Sequence, residues 1–220
     1  MSASHGLFVT VRGAGGHGSA PHRAKDPIVV IAQMILALQT TVTRTFDIFD
    51  PVVITVGKVS GGSKRNVIPD TASFEATVRR YSEESEQLLD LSIKRTLEGV
   101  AAAHGVDVEI RFEKEYPTTV NAAAEVEFAA DVVRDVLGEE RYQELPQPLS
   151  GSEDFSRVIA EVPGAFLVIG ATPPGSHPDS APMNHSPRAD FDPAVLSDAA
   201  AVYAGLAARK LDALAMEATS

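Results

Sequence analysis

The chain has 220 residues, of which 44% are hydrophobic and 22% charged, enough apolar content for a folded core and too little charge for a disordered tail. Its formal net charge of −11 argues against nucleic acid or an anionic membrane as a partner, since both call for a basic surface. There is no cysteine, which removes disulfides and thiolate metal sites.

In chain order, residues 1–6 have neither the basic region nor the apolar core of a signal peptide. Leu7 to Arg12 alternate with period two, as a half-buried strand does. Residues 13–18 form a glycine-rich turn. Asp26-Pro27 opens a helix, Asp as cap and Pro in the first turn, which is predicted to run to about residue 43. Its apolar run, 28–38, is broken by Gln33 and falls short of the roughly 20 residues of a membrane span. No membrane is therefore expected, and the expected location is cytoplasmic. Residues 51–59 are rich in β-branched side chains and read as a strand that Gly61-Gly62 breaks. Residues 71–81 alternate again, with Ala72, Phe74, Ala76 and Val78 on one face.

Ser82 caps a second helix with Glu83 and Glu84 in its first turn, where the helix dipole favours acids. Leu89, Ile93 and Leu97 form its apolar stripe, and His104-Gly105 ends it. Val106, Val108, Ile110 and Phe112 alternate in a last strand. The order β-α-β-β-α-β is the ferredoxin-like arrangement, a four-stranded antiparallel sheet with two helices on one face. Its other face carries Phe8, Thr10, Arg12, Thr71, Ser73, Glu75, Thr77 and Arg79. After Tyr116 the pattern predicts a helix over 122–137, a loop over 145–151 and a short helix over 152–160. A buried-type strand over 165–169, a proline-rich loop and a final helix from Asp192-Pro193 to about residue 215 follow. The expected fold class is α/β (α+β): a ferredoxin-like domain over 1–115, then an incomplete α/β portion over 116–220. So small a sheet buries its faces poorly unless partner strands come from elsewhere, and sequence before Met1 is the expected source.

Gly13-Ala14-Gly15-Gly16-His17-Gly18 matches the dinucleotide-binding pattern G-x-G-x-x-G. That reading fails on context, because Ser19-Ala20-Pro21-His22 intervenes before the helix cap Asp26. The loop instead presents His17, with glycines letting backbone approach a ligand. His17 and His22 could pair on a metal by spacing, but no carboxylate or third histidine stands near them in sequence. Ser152-Glu153-Asp154-Phe155 and Met183-Asn184-His185-Ser186-Pro187 are polar clusters that could equally be a helix start and a turn. No G-x-S-x-G elbow is present, which argues against a serine hydrolase. Arg79 is either a solvated strand charge or a fork for a carboxylate.

Together these segments resemble the aminoacylase-type dimetal metallopeptidases, in the branch of hippurate hydrolase and the auxin-conjugate amidohydrolases. The likeness runs through Val11-Arg12-Gly13, His17-Gly18-Ser19-Ala20-Pro21-His22, Asp26-Pro27, Asn66-Val67-Ile68-Pro69-Asp70, Thr77-Val78-Arg79, Tyr116-Pro117, Ser152-Glu153-Asp154-Phe155, His185-Ser186-Pro187 and Asp190-Phe191. It implies a lid, or dimerisation, domain followed by the C-terminal part of a catalytic domain. It also implies hydrolysis of N-acyl amino acids or similar small amides with two divalent ions, zinc, manganese or similar. By resemblance His17 is catalytic, steadying an oxyanion in the partner subunit of a homodimer. Asn66 and Arg79 hold the substrate carboxylate at the substrate end of the lid. Gly151 and Ser152 lie near the site, and His185 is a metal ligand. The family's other ligands and its catalytic Glu pair lie ahead of the lid, so this chain is expected to be an inactive fragment that does not hold the ions alone. The alternative is a standalone dimerisation or ligand-binding module built on the ferredoxin-like sheet.

Overall fold

The computed structural model describes residues 1–218. The chain divides into two compact units that a single cut does not separate. The first is Met1–Val120 together with Gln147–Val158, and the second comprises residues 121–146 and the chain from 159 onward. Residues 147–158, on the far side of the boundary expected at 115, cluster with the first unit.

In the first unit, strands β1 (Ala3–Arg12), β3 (Val53–Gly61), β5 (Thr71–Arg80) and β6 (Asp107–Tyr116) form one antiparallel sheet in the order β3-β5-β1-β6. Two further strands, β2 (Gly16–His17) and β4 (Val67–Ile68), form a separate short ribbon. Helices α1 (Pro27–Thr45) and α2 (Glu83–His104) complete the ferredoxin-like arrangement. One face of the sheet, Leu7, Val9, Val11, Ala72, Phe74 and Val78, shares a core with Val30, Ile31, Met34 and Leu38 of α1 and Leu89, Ile93 and Leu97 of α2. Local chemistry sets the helix ends. The Asp26 side chain accepts the Ile28 N–H at the start of α1, and the Ser82 side chain accepts the Ser85 N–H at the start of α2. Gly105, at φ 61°, closes α2 in the left-handed conformation. Helix α1 ends at Thr45, two residues past the predicted end, and by length and composition it could cross a membrane. Its buried stripe is instead part of the core just described.

The second unit packs α3 (Ala123–Leu137) against α5 (Val195–Glu217). Ala129, Ala130 and Val132 are buried there, and a Cβ on Gly205 would lie 3.0 Å from Val132. Ion pairs Arg209–Asp135 and Lys210–Glu125, both 2.6 Å, tie the two helices. Helix α4 (Phe155–Glu161) spans the junction of the units in sequence. The strand predicted over 165–169 does not form, and Leu167, Val168 and Ile169 are exposed. An apolar run becomes a strand only with a neighbour to pair with, and the second unit has none among the described residues. A side chain stands in at one residue: Asn121 Oδ1 accepts the Phe166 N–H at 2.9 Å and its Nδ2 donates to the Phe166 carbonyl at 3.3 Å.

Strand β1 begins at Ala3, four residues before the sequence expectation, because Ser4, His5 and Gly6 interrupt the apolar alternation. His5 takes a core position all the same. It is 1% exposed, stacks on Phe112 with ring centroids 5.0 Å apart, and neither ring nitrogen has a hydrogen-bond partner. Arg80 lies buried nearby, held by the Ser82 carbonyl at 3.0 Å, by Glu83 at 3.4 Å and by Glu86, which also pairs with Lys114. Burial, then the positive charges of Arg80 and Lys114, push the His5 imidazole down to about 4, against a smaller opposing pull from Glu115. Protonation is thus harder in the folded than in the unfolded chain, so stability is full above the unfolded value of 6.5 and falls as pH drops towards 4. Urea midpoints measured between pH 7 and pH 4 are expected to fall steeply in the native chain and to flatten in His5→Phe, which keeps the aromatic contact. An equally steep fall in the variant would assign the acid sensitivity to other groups.

Candidate functional site

The glycine loop after β1 is pinned along its length. Gly13 N–H donates to the Asp70 carbonyl at 2.8 Å, Gly15 N–H to Asp70 Oδ1 at 2.8 Å, and Gly18 N–H to the Asn66 carbonyl at 2.9 Å. Ala14 and Lys25 exchange backbone hydrogen bonds of 3.0 and 2.9 Å. Close approach is why two of these positions are glycine. A Cβ on Gly13 would sit 2.1 Å from the Lys25 carbonyl oxygen, and one on Gly18 3.1 Å from Asn66 backbone atoms. These amides are engaged by the chain's own acceptors, so the loop is no phosphate cradle, in agreement with the sequence argument against a nucleotide.

The clamped loop feeds the β2–β4 ribbon, in which His17 lies opposite Val67. This places His17 beside Asn66, 49 positions on in sequence, with both side chains exposed. His17 Nδ1 receives the Ser19 backbone N–H at 3.2 Å and lies 2.8 Å from Ser19 Oγ. His22 sits in the short turn Pro21–Arg23. The pairing of His17 and His22 on a metal, left open by their spacing, is not supported. No group of three His, Asp or Glu side chains gathers as a metal set among the described residues.

Arg79 and Ser152 meet at the far end of the sheet. Arg79 Nη1 donates to Ser152 Oγ at 2.6 Å. The segment around Ser152 is held by the start of the chain: Ser2 N–H donates to the Leu149 carbonyl at 3.2 Å and the Gly151 carbonyl at 3.0 Å, and Ser2 Oγ to the Ser150 carbonyl at 2.7 Å. Unlike Arg80, the half-buried Arg79 has no carboxylate partner among the described residues. Its guanidinium therefore keeps donors for an external anion.

The structure does not bring Asn66 and Arg79 together, as the resemblance implied. Asn66 precedes Thr71, the first residue of β5, and Arg79 lies eight positions along that strand. At ~3.3 Å per residue the strand from Thr71 to Arg79 spans roughly 26 Å, and Asn66 precedes its Thr71 end. His17 and Asn66 form one pair, Arg79 and Ser152 another, at opposite ends of the sheet.

His185 is exposed in a turn and is the one non-glycine residue among those described with positive φ, 70°. One histidine does not fit a dimetal centre, in which each ion takes about four ligands. The described residues supply no further clustered donors. Two residues with a part in the site have no role assigned from sequence, although both stand in quoted motifs. Asp70, which holds Gly13 and Gly15, was seen only as part of a motif. Ser19, two positions past His17, could have been found as a side chain able to fold back on its neighbour.

Residues 3–105 match the family described as the peptidase dimerisation domain of M20 peptidases. An IAA-amino acid hydrolase of Arabidopsis thaliana is 35% identical over 216 residues, 96% of this chain and 48% of the relative. Hippurate hydrolase of Campylobacter jejuni is 36% identical over 155 residues, 70% of this chain and 40% of the relative. A solved structure described as a dinuclear metal binding peptidase from the M20 family, of Bacillus subtilis, superposes with a TM-score of 0.72 at 26% identity, covering 96% of this chain and 51% of the other. The chain thus spans about half the length of the relatives it matches. Given the donor set, dialysis against zinc or manganese and then metal-free buffer is expected to leave well under one ion per chain by elemental analysis. One or more retained ions would reveal a ligand set that the described residues do not form.

Proposed function

Since the chain belongs to the M20 peptidase family, with its dimerisation domain at residues 3–105, we propose that it supplies the lid and part of the catalytic portion of a dimetal amidohydrolase acting on N-acyl amino acids. The observation that carries this reading is the two-ended placement of the polar residues. A span of roughly 26 Å along β5 exceeds any small acyl amino acid, so one substrate cannot touch both ends of the same lid. A homodimer through the lid resolves this. His17 and Asn66 on the ribbon reach the partner's site, while Arg79 and Ser152 serve the site of their own chain.

In this reading the Arg79 fork binds the free carboxylate of the substrate, with Ser152 fixing one arm and Gly151 in the segment that Ser2 anchors. His17 donates to the oxyanion that develops as the amide is attacked. His185 contributes one ligand to a pair of ions, zinc or manganese, whose remaining ligands come from outside the described residues. The location proposed is cytoplasmic. The alternative of a standalone dimerisation module draws on the same domain match, and substrate binding separates the two.

The test titrates hippurate and N-methylbenzamide, which lacks the carboxylate, into the isotope-labelled chain and follows the amide signals of Arg79 and Ser152 by NMR. Hippurate is expected to shift both signals and N-methylbenzamide neither. Arg79→Ala is expected to weaken hippurate about 10-fold or more, the scale of a lost charge-assisted pair. Equal responses to the two compounds would remove the carboxylate role. A monomer in sedimentation equilibrium would remove the two-ended dimer.

A further inference from the structure

Fixing a loop does not fix an imidazole, because the ring retains a 180° flip about its last torsion and a choice of tautomer. Around His17 the backbone is already set. Gly16 and His17 pair with Ile68 and Val67, Gly18 donates to Asn66, and Gly15 donates to Asp70. What remains is which ring nitrogen carries the proton, and that decides what His17 can do. With the proton on Nε2 the outer nitrogen is a donor and can bind an oxyanion. With the proton on Nδ1 the outer nitrogen is an acceptor, suited to a metal or to taking up a proton.

We propose that Ser19 is the positioning residue that sets His17 as a neutral Nε2–H donor. The Ser19 backbone N–H, 3.2 Å from Nδ1, can only donate, so Nδ1 must keep its lone pair. The Ser19 hydroxyl, 2.8 Å from the same nitrogen, has that lone pair as its acceptor. Two donors from one residue converge on Nδ1, and the proton of the neutral ring is left on Nε2. A ring flip would turn a carbon towards both donors and lose both hydrogen bonds, so Ser19 also selects the flip state. A metal-ligating histidine shows the opposite arrangement, its second nitrogen donating to a carboxylate or carbonyl. Here that second nitrogen accepts, which makes His17 a donor to substrate and not a metal ligand. The inference rests on the proposed role of His17 as an oxyanion donor for its importance, but not for its geometry.

The experiment is long-range 1H–15N NMR of the histidine rings in the 15N-labelled chain, native and with Ser19→Ala or Ser19→Thr, at a pH where His17 is neutral. In the native chain Nδ1 is expected to report as unprotonated and Nε2 as protonated. Ser19→Ala removes the hydroxyl but keeps the backbone N–H, so it is expected to raise the Nδ1-protonated fraction measurably while leaving Nε2–H the major form. Ser19→Thr, which keeps hydroxyl and N–H, restores the native pattern. Backbone signals of Gly16 and Val67 that stay in place in Ser19→Ala show that the ribbon is intact, which a merely structural role for Ser19 does not predict. A proton on Nδ1 in the native chain, or an unchanged ratio in Ser19→Ala, overturns the proposal. The hippurate titration does not involve Ser19, so failure of the substrate reading and failure of this one are told apart.

Discussion

Strand β1 is the constraint on which the first unit depends. It is hydrogen-bonded on both sides, to β5 in unbroken register from Ala3↔Arg80 to Arg12↔Thr71 and to β6 along most of its length. Because side chains alternate across a sheet, this register commits Ala3, His5, Leu7, Val9 and Val11 to the core as a set. The same strand delivers both polar pairs. Its C-terminal end runs into the clamped loop that carries His17, and its N-terminal end takes up the segment that carries Ser152. A one-residue slip would turn the core face outward and displace both ends together.

The structure treats neighbouring arginines in opposite ways. Arg80 faces the core side and is enclosed by Ser82, Glu83, Glu86 and Thr118. A buried guanidinium without such partners would be strongly destabilising. Arg79, one position earlier, falls on the other face and, among the described residues, holds a serine hydroxyl and no carboxylate. The period of two in a strand thus separates a structural cation from one left available to an anion. His5 belongs with the structural side, an imidazole whose protonation is disfavoured first by burial and then by the nearby Arg80.

The sequence made the helices of the first unit legible because their ends are written locally. Asp26-Pro27, Ser82 with its following glutamates, and His104-Gly105 are signals within a few residues of the boundaries they set. The order of strands was also legible, as was the identity of the polar residues. Their grouping was not. Pairing His17 with Asn66 depends on two strands of two residues each, closed by the Asp70 and Asn66 carbonyls, and no periodicity announces so short a ribbon. Separating Asn66 from Arg79 depends on the whole length of β5 between them. The start of β1 was hidden by a histidine in a core position, and the run at 165–169 was read as a strand because apolarity is visible in sequence and a missing neighbour is not.

The hydrogen bonds from Ser2 to residues 149, 150 and 151 have a temporal side. A ribosome adds on the order of 5–20 residues each second. Ser2, just ahead of β1, therefore waits roughly 7 to 30 seconds before the acceptors it needs have been made. During that interval the sheet and both its helices can already be complete, so the beginning of the chain is among the last parts of the unit to be secured. The acceptor for Arg79, Ser152, is made in that same late stretch.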